Sequence, residues 1–155
     1  MKNILITGAA GFIGANLSSA LQKNNYTVYG IDNLSVTPVQ PPSNEIIKID
    51  VQSIDKEFLE ERQINQIVHL AAKKNVKESF YNLENSIENF EMTLKLFDAA
   101  VKANIDNFYL ASTCEIFGYQ EKSLDENSLF NPYSPYAVSK VANEYLANVY
   151  MRFKE

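Results

Sequence analysis

Ile4, Leu5 and Ile6 form a short apolar run that stops at Thr7, and apolar side chains then return at Phe12, Ile13, Leu17, Ala20 and Leu21, a helical interval. The pattern predicts strand, turn and helix. Thr27 to Ile31 is a second run rich in β-branched and aromatic residues that closes on Asp32. Ser35 to Asn44 carries Pro38, Pro41 and Pro42 and reads as loop. Ile46 to Ile49 predicts a third strand, and Ser53 or Asp55 can cap a helix through Arg62. Ile64 to Leu70 holds a fourth strand. Leu83, Ile87, Phe90, Leu94, Phe97 and Val101 recur with the period of a long helix over 83–103. Asn107 to Ala111 predicts a fifth strand. A polar loop with Asp125, Glu126, Asn127 and Pro132 leads to a last helix over 134–152, in which Pro135 at the first helical position costs nothing.

Strands that are nearly continuous apolar runs and alternate with helices predict an α/β fold, a doubly wound parallel sheet in three layers, α/β/α, with about five strands. Such sheets bind ligands beyond the carboxyl ends of their strands, so Gly8 to Gly14, Asp32, Asp50, Ala71-Ala72 and Ser112-Thr113 are the places to look.

The 155 residues, 46% of them hydrophobic, suffice for one self-supporting domain, 1–155. A net charge of −5, with no basic cluster beyond Lys73-Lys74, offers nothing to a polyanion, and no nucleic acid partner is expected. No apolar run approaches the roughly 20 residues that span a bilayer. The chain passes from Met1-Lys2-Asn3 straight into a core strand rather than through a secretory signal, so no membrane partner and a cytoplasmic location are expected. One cysteine, Cys114, and one histidine, His69, make neither an intramolecular disulfide nor a Cys/His zinc site, and no metal is expected. Chemistry then falls to an organic cofactor and to hydroxyl, amide and carboxylate groups.

Gly8, Gly11 and Gly14 occupy successive third positions between the first strand and its helix. A dinucleotide site needs that spacing for a tight turn, a backbone that a pyrophosphate can approach and a close helix–strand crossing, with the helix-terminal N–H groups aimed at the phosphates. Asp32, 18 residues beyond Gly14, can take both hydroxyls of an adenosine ribose and would repel a 2′-phosphate, which favours NAD over NADP. Asp50 can accept a hydrogen bond from the adenine amino group. Both aspartates also sit where strand-end turns use them.

TGAAGFIG over 7–14, Asp32-Asn33-Leu34-Ser35, His69-Leu70-Ala71-Ala72, Ser112-Thr113 with Gly118, and Ser134-Pro135-Tyr136-Ala137-Val138-Ser139-Lys140 together resemble the extended short-chain dehydrogenase/reductases that modify nucleotide sugars. The resemblance covers essentially the whole chain and implies a Rossmann-type fold that binds NAD. It implies that Gly8, Gly11 and Gly14 hold the pyrophosphate with Phe12 and Ile13 flanking it, that Asp32 with Asn33 meets the adenosine ribose, and that Asp50 and Val51 meet the adenine. Ala71, Ala72 and Lys73 would run beside the nicotinamide ribose, while His69 is a strand residue of the pattern, not a catalyst. Tyr136 and Lys140, four apart on one helix face, would be the base and its ammonium partner, with Lys140 also holding the nicotinamide ribose. A free tyrosine ionises near pH 10, and an adjacent ammonium with the positive nicotinamide is expected to lower that value. Thr113 would hydrogen-bond the reacting sugar oxygen.

The implied first step is oxidation of a sugar hydroxyl at C4, with Tyr136 as base and NAD as hydride acceptor. Glu115, two residues after Thr113, is similar to the carboxylate that removes the C5 proton in dehydratases of this family, which favours 4,6-dehydration. Cys114 departs from the Asp of glucose-type dehydratases, some sugar decarboxylases also hold a Glu at position 115, and Asp32-Asn33-Leu34-Ser35 leans toward the 4-epimerases. A non-catalytic NAD-binding module is the remaining alternative. Family members are about twice as long, their second half adding a substrate domain that grips the nucleotide diphosphate sugar; the resemblance implies that this domain lies outside the 155 residues, whether the chain is a fragment or a naturally short product. Met92 replaces the Gly of the family's Asn-x-x-Gly-Thr stretch between Asn89 and Thr93. The matching family helices form a dimeric four-helix bundle, so a homodimer through 83–103 and 134–152 is expected.

Overall fold

The sheet consists of β1 (Asn3–Thr7), β2 (Thr27–Asp32), β3 (Ile46–Lys48), β4 (Gln66–His69) and β5 (Asn107–Leu110). Its order is β3-β2-β1-β4-β5, and every pairing is parallel. This is a computed structural model, and it describes residues 2–36, 45–121 and 123–154, with side chains to residue 150. The prolines expected to enforce the loop, Pro38, Pro41 and Pro42, lie outside the described residues.

Two compact units make up the chain, Met1–Ala72 with Lys95–Ala111, and Lys73–Leu94 with Ser112–Glu155. The first contains the whole sheet. Alternation of side chains along β1 sends Ile4 and Ile6 to one face, where they pack with Leu17 and Leu21 of α1 (Phe12–Lys23). Leu5 points the opposite way, in register with Ile67 and through it with Phe108. Phe97, in the second half of α4 (Glu84–Lys102), stacks on Phe108 at 4.1 Å and so covers that other face. Leu5, Ile6, Ile31 and Ile67 are fully buried between these layers. The three-layer arrangement expected from the alternating pattern, and the Rossmann-type fold that the resemblance implied, are therefore present in this unit, and the order of the strands reverses between β1 and β4.

The second unit holds α3 (Val76–Ser79), the first half of α4, a 3-10 turn over Cys114–Phe117 and α5 (Pro135–Lys154). Both α3 and the 3-10 turn pack on α5. Phe117, Phe130 and Tyr145 form an aromatic row with centroid spacings of 5.9 and 5.8 Å that ties the loop before α5 to the helix.

Element boundaries follow local hydrogen bonding. Asp55, not Ser53, caps α2 (Lys56–Glu61) by accepting from Phe58 N–H. Beyond the end of α2, Ile64 N–H bonds back to Leu59 C=O and so is not a strand residue, and the expected strand 64–70 is shortened to Gln66–His69. The short helix α3 and the two 3-10 turns, Val51–Ser53 and Cys114–Phe117, carry too few residues to show a period.

Candidate active site

In the first unit the three glycines form the turn that a diphosphate requires. Gly8 adopts φ +68°, and a Cβ there would meet the Ala71 N at 2.9 Å. A Cβ on Gly14 would stand 2.3 Å from the Gly8 carbonyl oxygen and 2.7 Å from Ala9 Cα, so no side chain fits at that crossing. Gly11 N–H closes the turn onto Gly8 C=O at 3.1 Å, and Gly11 caps α1 with no side-chain hydrogen bond, leaving the first-turn amides without that partner. Phe12 and Ile13 follow with 69% and 65% of their surface exposed, large apolar side chains held open at the mouth of the turn. The turn fits the pyrophosphate of a dinucleotide because its backbone is bare where side chains would otherwise stand.

Asp32 braces this turn. One carboxylate oxygen accepts from Ala10 N–H at 3.1 Å and the other from Leu34 N–H at 2.8 Å. Asn33 donates its amide to Asp50 at 3.0 Å, and Asp50 also accepts from Gln52 N–H, so the ends of β2 and β3 are bridged by side chains. Val51 is buried beneath them. The residues expected to meet the adenosine, Asp32, Asn33, Asp50 and Val51, thus form one connected group, and each aspartate does turn work whatever else it binds. At the end of β4, Ala71 and Ala72 are half-buried beside the glycine turn.

In the second unit the first turn of α5 presents the expected catalytic pair. Ser134 caps the helix by accepting from Ala137 N–H, and Pro135 opens it. Tyr136 is 8% and Lys140 5% exposed, with Lys140 Nζ 5.9 Å from the Tyr136 ring centroid. The 3-10 turn packed on α5 carries Thr113, whose hydroxyl caps it by accepting from Glu115 N–H, and Glu115 itself. Gly118 ends that turn at φ +58°, where a Cβ would strike the Asn131 carbonyl oxygen. The hydroxyl of Ser112 donates to the Glu144 carboxylate, fastening the same segment to α5.

The electrostatics differ from the expectation of a lowered phenol. Burial, then the charges of Glu115 and Cys114, hold Tyr136 above its ordinary value of 10.0. Burial also pulls the Lys140 ammonium below its ordinary 10.5. The cause is shared: low-dielectric surroundings disfavour both the phenolate and the ammonium. Within the protein alone Lys140 does not overcome this, and the expected lowering of the phenol is not seen.

Two positioning contacts were not visible in the motifs. Ser79 accepts from the backbone N–H of Tyr136 at 3.3 Å and so holds the start of α5. Asn89, 1% exposed, clamps Lys73 from both sides, accepting from its N–H at 2.8 Å and donating to its C=O at 3.1 Å. The clamp forms with Met92 at the position of the family Gly, and Thr93 donates its hydroxyl proton to Asn89 C=O. Among the described residues there is no cluster of three or more metal-ligating side chains, and no helix long and apolar enough to cross a membrane.

Residues 4–154 match the model of the NAD dependent epimerase/dehydratase family. A putative UDP-glucose 4-epimerase of Methanocaldococcus jannaschii is 32% identical, covering 96% of this chain and 51% of that protein. The dTDP-D-glucose 4,6-dehydratase of Mus musculus is 31% identical, over 99% of this chain and 47% of its own. Among solved structures, the NAD dependent NDP-hexosamine 5,6-dehydratase TunA, involved in tunicamycin biosynthesis, superposes with a TM-score of 0.91 at 32% identity, covering 98% of this chain and 50% of that one. The chain spans about half the length of these proteins.

Proposed function

The chain belongs to the NAD dependent epimerase/dehydratase family of extended short-chain dehydrogenase/reductases, and from that premise we propose that it carries the cofactor site and the proton-transfer residues of a nucleotide-sugar-modifying enzyme. NAD, the cofactor of the family, supplies hydride acceptance and return when bound. Gly8, Gly11 and Gly14 receive its pyrophosphate, Asp32 the adenosine ribose, and Lys140 the nicotinamide ribose. Tyr136 takes the proton of the sugar C4 hydroxyl, with Thr113 hydrogen-bonded to the same oxygen. Glu115 then removes the C5 proton from the 4-keto sugar as the C6 hydroxyl leaves, protonated, as water, and the hydride taken from C4 returns to C6 while C5 regains a proton, the redox-neutral course of a 4,6-dehydration.

One observation supports the reading above others: the 3-10 turn that carries Thr113 and Glu115 packs on α5, which carries Tyr136, and the Glu115 charge adds to the raising of the Tyr136 phenol. A 4-epimerase remains the second reading, favoured by the M. jannaschii relative at nearly the same identity as the mouse dehydratase. Incubation with NAD and GDP-, UDP- and dTDP-hexoses separates the readings. A dehydrated 4-keto or 5,6-unsaturated sugar supports dehydration, an inverted C4 supports epimerisation, and NAD affinity with no turnover on any sugar supports a binding module. Glu115→Gln should abolish dehydration and spare epimerisation.

A second copy of the chain is the proposed partner of the outer helices. Leu83, Ile87 and Phe90 of the α4 side and Pro135, Val138 and Ala142 of α5 line an apolar groove of about 670 Å³, and Ile87 and Val138 are more than half exposed. Apolar surface of that extent on paired helices is suited to self-association.

A further inference from the structure

His69 sits at the end of β4, 2% exposed, its ring edge-on to Phe108 at 6.2 Å. Its Nδ1 lies 2.7 Å from the Thr7 hydroxyl, the residue paired with it across the sheet. That hydroxyl also accepts from Leu70 N–H and from Ala71 N–H, each at 3.1 Å. Leu70 N–H is shared with the Thr7 carbonyl at 3.3 Å, but Ala71 N–H has the hydroxyl as its acceptor.

A hydroxyl oxygen has two lone pairs and one proton. Both lone pairs are taken by the two amides, so the Thr7 proton must go to His69, whose Nδ1 is then the acceptor and whose neutral ring carries its proton on Nε2. The reverse arrangement would ask the oxygen to accept three hydrogen bonds, and Leu70 N–H would have to give up the hydroxyl for the Thr7 carbonyl at 3.3 Å. This fixes the direction of the Ala71 amide in the place where a Cβ on Gly8 would touch it. The wall of the glycine turn is thus set by a chain of three groups: ring nitrogen, hydroxyl and backbone amide.

We infer that His69 is a positioning residue for the dinucleotide: by accepting the Thr7 proton it holds both lone pairs of that hydroxyl on the Leu70 and Ala71 amides and so sets the cofactor-facing backbone at the switch point. The inference rests on the reading of Ala71-Ala72 as a wall of the NAD site. A histidine that merely fills space beneath Phe108 could be replaced by another ring.

His69 is the chain's single histidine, so its ring nitrogens can be read without ambiguity in a 15N-labelled sample. The expected spectrum at neutral pH shows Nδ1 unprotonated and Nε2 protonated; a proton on Nδ1 overturns the inference. Calorimetric titration with NAD supplies the functional arm. His69→Phe keeps a ring and removes the acceptor, and should weaken NAD binding about tenfold, the cost of one lost buried hydrogen bond. His69→Asn, whose carbonyl oxygen can stand in for Nδ1, should recover most of that loss. His69→Phe combined with Thr7→Val should bind no more weakly than Thr7→Val alone. NAD binding by His69→Phe equal to the parent, with the fold confirmed by circular dichroism, overturns the inference while leaving the cofactor reading standing. Failure of the parent itself to bind NAD removes the cofactor reading and the positioning role together.

Discussion

At residue scale the chemistry turns on a phenol and an ammonium that burial has pushed away from their charged forms. For Tyr136 the folded value lies above the unfolded 10.0, so its ionisation favours the unfolded chain. That part of the stability is complete below pH 10 and is lost as pH rises through the folded value; thermal melts of Tyr136→Phe should lack this alkaline loss. Glu115→Gln removes one of the raising charges, so ultraviolet titration, read as a difference from Glu115→Gln/Tyr136→Phe, should show the phenol ionising at lower pH than in the parent. The folded Lys140 value lies below 10.5, so the stability it contributes is present above that value and is lost as pH falls through the folded one. At neutral pH a buried ammonium is a cost, and Lys140→Met should leave stability unchanged or raise it by about 1 kcal/mol while weakening NAD binding. Loss of stability together with unchanged NAD affinity would contradict that role. In any assay with turnover, Tyr136→Phe should lower kcat at least about 100-fold with NAD affinity nearly unchanged.

At the scale of elements the two backbone turns are the least tolerant features. Gly14→Ala puts a methyl against the Gly8 carbonyl, and denaturant unfolding should show a loss of about 3 kcal/mol along with loss of NAD binding. Ser134→Ala removes only the α5 cap, and about 1 kcal/mol should go with it. The glycine turn, Asp32 and the α5 start were legible in the sequence because each is a local pattern: fixed spacing after an apolar run, or a capping residue before a proline. Asp55 as a cap was legible only as one of two candidates, since both can accept from an N–H three residues on. Ser79, the Asn89 clamp on Lys73 and the His69–Thr7 pair were not legible. Each joins positions 16 to 62 residues apart, and no short spacing encodes such a pairing. The raised phenol escaped for a related reason, because burial is a property of the folded environment and not of the Tyr-x-x-x-Lys spacing.

At the scale of the whole molecule, the apolar groove beside α5 should close against a second copy. Light scattering should give twice the chain mass at micromolar concentration, and Val138→Glu, which places a charge on that face, should return a monomer; a parent that is already monomeric contradicts the proposed dimer. The family assignment and the bare glycine turn both lead to a dinucleotide, and on the proposed reading Asp32 selects which one. The most direct test is a calorimetric titration of the chain with NAD and, separately, NADP. The account predicts a one-to-one complex with NAD and binding of NADP at least about tenfold weaker, because the Asp32 carboxylate repels a 2′-phosphate. No heat with NAD, or equal affinity for both, would contradict it.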